Sequence, residues 1–426
     1  LTTISWAAIT DCAFAQPAGI PETKRRAVAD STEEPQSYRA ECMRYSLLLI
    51  ALLGVGITYS LGYGTYTLLL YLIFALLFLI GMMVVARGRL RDVCLVASSI
   101  LLCLILAETY ELLQTGGSLK QQEKIAFAPD QVFGWTPRAP GVFHVKKVDQ
   151  KTGSVIFDVI NTIDEHLQRK TISAINGPTV AFFGDSFTFG QGLQDSETLP
   201  QIFSDLENRR LRVLNFGITG YGPQQFLRAM ETGIFRNRLE DSRLFLFQTA
   251  PWHAERTSCL HPEMLRSPRY VLKDDRATYV GACAEGLERI LREVISNSAV
   301  YRALVEPAFR TVKRADIELY IAVIARSIEL ARRDYGVPTL ILYLPFVPTY
   351  LSQTGYTDAE IMQKLREAGA YVIDGTINTA DHPGTVLYIP GDGHPTGATN
   401  RLRAEMLKEW FDRNAASLLT SEATAR

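Results

Sequence analysis

Hydrophobic and polar positions are segregated along this chain. From Ser46 to Ala86 there is no Asp, Glu, Lys, Arg or His. At about 1.5 Å per helical residue that stretch is about 60 Å long, about twice a hydrocarbon core. It predicts two membrane helices, 46–61 and 66–86, parted at Gly62-Tyr63-Gly64-Thr65, with Tyr59, Tyr63 and Tyr66 suited to the interface. A third apolar run, Val93 to Ala107, predicts a helix over 93–113. The transmembrane region is thus 45–113, with a polar, proline-bearing tail before it (1–44) and a Gly-rich, polar linker after it (114–125).

Charge sets the topology. Lys24, Arg25, Arg26, Arg39 and Arg44 precede the first span, the first connection is uncharged, and the second carries Arg87, Arg89 and Arg91. The positive-inside rule then puts the N-terminus and the second loop in the cytoplasm. A third span exports everything after Glu108, whereas reading 93–107 as a buried or interfacial helix keeps the large domain inside. The expectation is an integral protein of a bacterial plasma membrane with its large domain outside. Ala13-Phe14-Ala15 resembles a cleavage site, but no adequate apolar segment precedes it, so no signal peptide is expected.

Past the linker the pattern changes to strands and helices in alternation, over 126–419, with a tail at 420–426. Thr179-Val180-Ala181-Phe182-Phe183 and Arg212-Val213-Leu214-Asn215-Phe216 are short apolar runs stopped by glycine. Leu244 to Phe247, Thr339 to Leu344 and Tyr371 to Ile373 are three more, with helix-like stretches such as Ile317 to Tyr335 between them. This predicts a parallel sheet covered on both faces. Ahead of it, Val142 to Val145 and Ser154 to Val159 alternate like antiparallel strands and predict a small β elaboration at 126–177.

Composition narrows the function classes. With 44 Lys and Arg against 45 Asp and Glu, no basic field exists to hold a nucleic acid. Gly190-Gln191-Gly192 lacks the third glycine of a dinucleotide fingerprint, so no such cofactor is expected. His253, Cys259 and His261 are close in sequence but come without a C-x-x-C pair or an H-E-x-x-H motif, so no metal is expected either. Cys259 and Cys283 are the two cysteines of the large domain; an exported domain allows them to form a disulfide, and the alternative is two unpaired thiols.

In open α/β sheets, ligand chemistry sits beyond the carboxyl ends of the strands. The loop after the first of these strands reads Gly184-Asp185-Ser186-Phe187-Thr188-Phe189-Gly190. A serine two residues past a strand-ending glycine can expose its hydroxyl at the sheet edge and turn its N–H toward a developing oxyanion, as acyl transfer requires. The other reading is a turn in which Asp185 and Ser186 cap a helix. Near the other end stands Gly391-Asp392-Gly393-His394-Pro395. There an imidazole can take the serine proton and a carboxylate can fix its tautomer, or the pair can be a surface hydrogen bond.

Three blocks in this order, Gly184-Asp185-Ser186, Asn215-Phe216-Gly217-Ile218-Thr219-Gly220-Tyr221-Gly222 and Asp392-Gly393-His394-Pro395, resemble SGNH (GDSL-like) hydrolases over about Pro178 to Trp410. The resemblance implies a flavodoxin-like three-layer α/β/α domain, Ser186 as nucleophile, His394 as base and Asp392 as its orienting acid. It also implies an oxyanion hole built partly from the N–H groups of Ser186 and Gly220. The family commonly places an Asn after the third strand, where this chain reads Gln248-Thr249-Ala250-Pro251-Trp252-His253; His253 is the substitute donor expected here. The Asp-x-His spacing is also shorter than the commoner Asp-x-x-His.

The expected protein is a membrane-tethered serine esterase that removes a small acyl group, acetyl being the one expected, from a cell-surface or exported glycan, without a cofactor. The partners are that acylated glycan, or another ester, and the lipid bilayer. An O-acetyltransferase or lipid esterase with the same three residues, or an inactive glycan-binding or assembly subunit, are the alternatives.

Overall fold

The computed structural model describes residues 67–114, 122–123, 125–149 and 151–420, together with Gly54. The predicted span 46–61 lies outside them apart from that glycine. The chain divides into two compact units, 1–117 with 297–303, and 118–296 with 304–426.

In the first unit, helices α1 (Thr67–Val85) and α2 (Arg89–Gln114) pack together through a tight connection at Gly88. Helix α2 is long and apolar enough to cross a membrane and starts four residues earlier than the apolar run because Asp92 and the arginines extend its first turn. The segment 297–303 joins these helices through Glu108. This buried carboxylate accepts from the Ser298 hydroxyl at 2.8 Å and from the Ala299 and Val300 N–H groups at 2.5 and 3.2 Å.

The second unit opens with short strands β1 (Gln122–Glu123), β2 (Phe127–Asp130) and β3 (Gly134–Pro137), then a hairpin of β4 (Gly141–Val148) and β5 (Val155–Ile163) paired antiparallel. The main sheet follows. Its strands are β6 (Thr179–Phe183), β7 (Arg212–Asn215), β8 (Ser242–Thr249), β11 (Thr339–Tyr343) and β12 (Tyr371–Asp374), all parallel. Helices α3 (Ser186–Phe189), α4 (Leu199–Leu206), α5 (Pro223–Thr232), α6 (His253–Thr257), α7 (Gly286–Ser296), α8 (Arg314–Tyr335), α9 (Asp358–Glu367) and α10 (Gly397–Thr420) connect or follow them. A separate hairpin, β9 (Pro268–Lys273) with β10 (Arg276–Ala282), lies between α6 and α7.

The spatial order β12-β11-β8-β6-β7 is the flavodoxin-like arrangement, in which the strand order reverses beside the first strand. Strand alternation builds two cores. Ala181, Phe183, Phe245, Phe247 and Ile341 face helices α5, α8 and α9, while Val180, Phe182, Leu244, Leu246 and Leu340 face α4 and α10. Both faces are apolar because both are covered, so the strands read as continuous hydrophobic runs.

The β4–β5 hairpin grips the segment after α3. Asn161 donates to the Leu193 carbonyl at 3.0 Å, and buried Arg169 bonds Asp195 at 2.8 Å and Leu193 at 3.0 Å. Cys259 and Cys283 are joined by a disulfide that ties the end of α6 to the end of β10. Because it closes a loop over a sequence separation of 24 residues, replacing both cysteines by alanine should lower the free energy of unfolding by about 3 kcal/mol. Urea titration checks this: added reductant should move the wild-type midpoint toward that of the variant and leave the variant where it is.

Candidate active site

Strand β6 ends at Phe183, and the next two residues, Gly184 and Asp185, make the turn into α3. Gly184 has to be glycine, because a Cβ there would lie 1.8 Å from the Thr188 hydroxyl. Asp185 caps α3, its carboxylate accepting from the Phe187 N–H at 2.9 Å. Ser186 therefore opens the helix at the carboxyl edge of the sheet, beside the point where strand order reverses. Of the two residues that the turn reading made caps, Asp185 caps the helix and Ser186 is its first residue.

The Ser186 Oγ lies 2.9 Å from His394 Nε2, across 208 residues of chain. His394 Nδ1 lies 2.5 Å from Asp392 Oδ2. A compact turn makes the two-residue spacing workable: Asp392 N–H and Gly393 N–H both donate to the Ile389 carbonyl at 3.0 Å, and Gly393 has φ +89°. The Asp392 carboxylate also meets Lys147, which reaches it from β4. Burial pushes the Asp392 carboxyl up, but hydrogen bonds from His394 and Lys147 outweigh this and hold its pKa at about 2.

The loop after β7 runs close beside α3. Asn215 donates to the Thr188 carbonyl at 3.0 Å and accepts from the Gly217 N–H at 2.9 Å. Gly220 has φ +84°, a left-handed conformation that favours glycine, and a Cβ there would stand 3.0 Å from the Trp135 ring. The Trp135 indole donates to the Thr219 carbonyl at 3.0 Å, and the Tyr221 hydroxyl donates back to the Trp135 carbonyl at 2.6 Å. Among the described residues, neither the Ser186 N–H nor the Gly220 N–H meets an acceptor. Such free donors are what an oxyanion hole needs.

His253 does not serve as the substitute donor. Its Nε2 lies 3.1 Å from Asp185 Oδ2 and its Nδ1 lies 3.0 Å from the Thr249 hydroxyl, with the ring fully enclosed. Burial pushes its pKa down, so the ring is neutral; its single N–H goes to Asp185, and Nδ1 accepts from Thr249, which in turn accepts from the Tyr320 hydroxyl at 2.9 Å. Arg256, one turn further along α6, donates to the same Asp185 oxygen at 2.8 Å and to the Tyr221 carbonyl at 2.6 Å. Burial acts to raise the Asp185 carboxyl, yet the Arg256 charge and the His253 hydrogen bond hold it far below the usual carboxylate range.

Sequence reasoning missed Lys147, Arg256 and the pairing of Asp185 with His253 and Arg256. The Arg256 signal was there, three residues after His253 on a helix. Lys147 gave none, because it comes from a hairpin 245 residues away from its partner.

An aromatic row leads outward from the imidazole. Phe187 stands edge-on to the His394 ring at 5.5 Å, Trp252 follows at 5.6 Å from Phe187, and Phe346 follows at 5.1 Å from Trp252. Phe346 is 45% exposed, so the row ends at the surface.

No protein-family model matches this sequence, and no curated protein matches it either. Solved structures resemble it at low identity. A member of the lipolytic protein G-D-S-L family from Veillonella parvula DSM 2008 is 16% identical, with 56% of this chain and 100% of that one covered and a TM-score of 0.35. The psychrotrophic esterase EstA from Pseudoalteromonas sp. is 13% identical, with 56% and 98% covered and a TM-score of 0.30. AlinE4, an SGNH-hydrolase family esterase, is 16% identical, with 58% and 100% covered and a TM-score of 0.27.

The Lys147 contact has a consequence in acid. The Asp392 carboxyl is depressed from 3.8 to about 2 by folding, so its contribution to stability is complete above about pH 4 and is lost as the pH falls through about 2. Lys147→Met removes one of the two hydrogen bonds that lower this carboxyl, so the variant should be less stable than wild type above about pH 4 and lose less on acidification, the gap between the two narrowing as the pH falls. Urea midpoints measured from pH 5 to pH 3 check this; superimposable curves for the two proteins would mean that the contact carries no stability.

Proposed function

We propose that this protein is a membrane-tethered serine esterase that removes a small acyl group, acetyl in the simplest case, from a cell-surface or exported glycan through an acyl-serine intermediate. The observation that carries this reading is the hydrogen-bonded series Ser186 Oγ, His394, Asp392, at 2.9 and 2.5 Å. His394 Nε2 takes the Ser186 proton as Oγ attacks the ester carbonyl, and Asp392 fixes the tautomer and stabilises the imidazolium. The tetrahedral oxyanion is received by the N–H groups of Ser186 and Gly220. The imidazolium then returns its proton to the departing alcohol, leaving Ser186 acylated. A water activated by the same imidazole completes hydrolysis; a sugar hydroxyl in its place makes the enzyme an O-acetyltransferase.

The aromatic row from Phe187 to Phe346 supports a substrate with a flat or apolar face, which a sugar ring has and a lipid acyl chain has too. Tethering rests on α2, whose length and hydropathy suit a span, and on the charge pattern, which puts the domain of 126–419 outside. An inactive glycan-binding subunit would not need the serine and imidazole within hydrogen-bond distance.

In detergent, the full chain should release nitrophenol from 4-nitrophenyl acetate, and Ser186→Ala or His394→Ala should each cut kcat/KM by about 1,000-fold or more with the fold intact by circular dichroism. Equal rates in wild type and Ser186→Ala would sink the nucleophile assignment. Protease added to intact spheroplasts should degrade the large domain; its full protection there would reverse the orientation.

A further inference from the structure

A cavity of about 100 Å³ lies among Leu344, Gly375, Ile377, Tyr388, Thr399 and Arg403. Leu344 directly follows β11, and Gly375 directly follows β12. Both are at the carboxyl edge of the sheet, where Ser186 follows β6. In the sheet order only β8 separates β11 from β6, so at about 4.8 Å per strand the cavity is about 10 Å along that edge from Ser186. The loop that carries His394 supplies one wall, since Tyr388 bridges to Pro395.

Arg403, on α10, is 4% exposed. Its Nε donates to the Gly375 carbonyl at 3.3 Å and the Tyr388 hydroxyl lies beside the guanidinium, but Nη1 is buried with no hydrogen-bond partner. Among the described residues, no Asp or Glu oxygen stands within 4.0 Å of it. Arg169, equally enclosed, is by contrast paired with Asp195 at 2.8 Å. A buried guanidinium without a counter-charge is costly, and burial pushes its pKa down.

We propose that Arg403 and this cavity form a carboxylate-binding subsite. A planar carboxylate matches a guanidinium edge, and the space exceeds the roughly 30 Å³ share of one water. Leu344 and Ile377 suit the apolar stem of such a group. The carboxylate comes either from an acidic residue of the substrate or from the free acid that deacylation releases. The substrate arm rests on the esterase reading above; binding of a free acid does not.

Two measurements on the full chain in detergent test the subsite. In Ser186→Ala, 100 mM sodium acetate should raise Tm by about 2 °C or more over sodium chloride at equal ionic strength, and Ser186→Ala/Arg403→Gln should lose this difference. No difference between acetate and chloride in Ser186→Ala overturns the proposal, whether or not the wild type hydrolyses esters. In the wild type, mono-4-nitrophenyl esters of glutaric to suberic acid are compared with their methyl-capped counterparts. A substrate-borne carboxylate predicts an at least 10-fold preference in kcat/KM for the free acid at one chain length, erased in Arg403→Gln with neutral esters changed less than about 3-fold. A released acid predicts no such preference but inhibition by acetate that Arg403→Gln relieves. Parallel loss on acidic and neutral esters makes Arg403 a structural residue and overturns the proposal. Should Arg403→Gln fail to fold, Ile377→Glu puts a carboxylate into the cavity from the chain itself. It should abolish the acetate response without lowering Tm, and a retained response overturns the subsite.

Discussion

An ionised carboxylate buried at the end of the first parallel strand is the constraint on which the site depends. Asp185 is 2% exposed and keeps its charge because Arg256, His253 and the Phe187 N–H surround it. Removing one charged partner of such a buried pair leaves the other uncompensated, so the three elements that meet here are obliged to stay together. They are the turn into α3, helix α6 and, through the Arg256 bond to the Tyr221 carbonyl, the loop that carries Gly220. The position of the Ser186 hydroxyl is thus fixed from its own N-terminal neighbour.

Asp392 solves a similar problem differently. It too has a cation at hand, Lys147, but its other oxygen is given to the imidazole of His394. Asp185 is sealed by an arginine and a neutral ring; Asp392 is shared between a lysine and the imidazole that meets Ser186. Two aspartates with enclosed carboxylates, each near one end of the Ser186–His394 pair, are therefore held differently, one by three donors and the other by one lysine and one imidazole.

Much of this was legible in the sequence, and the reason is periodicity. Strands covered on both faces must be apolar at every position, so Thr179 to Phe183 and Thr339 to Leu344 stand out without any structure. Ser186 and His394 were legible only as candidates, each open to a bland reading as a cap or a surface hydrogen bond until the resemblance joined them; their 2.9 Å contact comes from the fold. The fate of His253 was not. A histidine after the third strand reads equally as a donor to substrate or as a core residue, and only the distances to Asp185 and Thr249 decide. Lys147 was illegible for another cause: on β4 it is one of two adjacent lysines, and only the fold distinguishes the one that pairs with Asp158 from the one that reaches Asp392.

The β4–β5 hairpin, which looks like an appendage to a self-sufficient sandwich, is for this reason part of the site. A chain shortened to begin at Pro178 would retain the serine, the imidazole and the aspartate, and all five parallel strands, yet it would lack the ammonium that reaches the acid and the guanidinium of Arg169 that fastens the segment behind the serine. The smallest piece of this chain that holds the site together is accordingly larger than its minimal folding pattern.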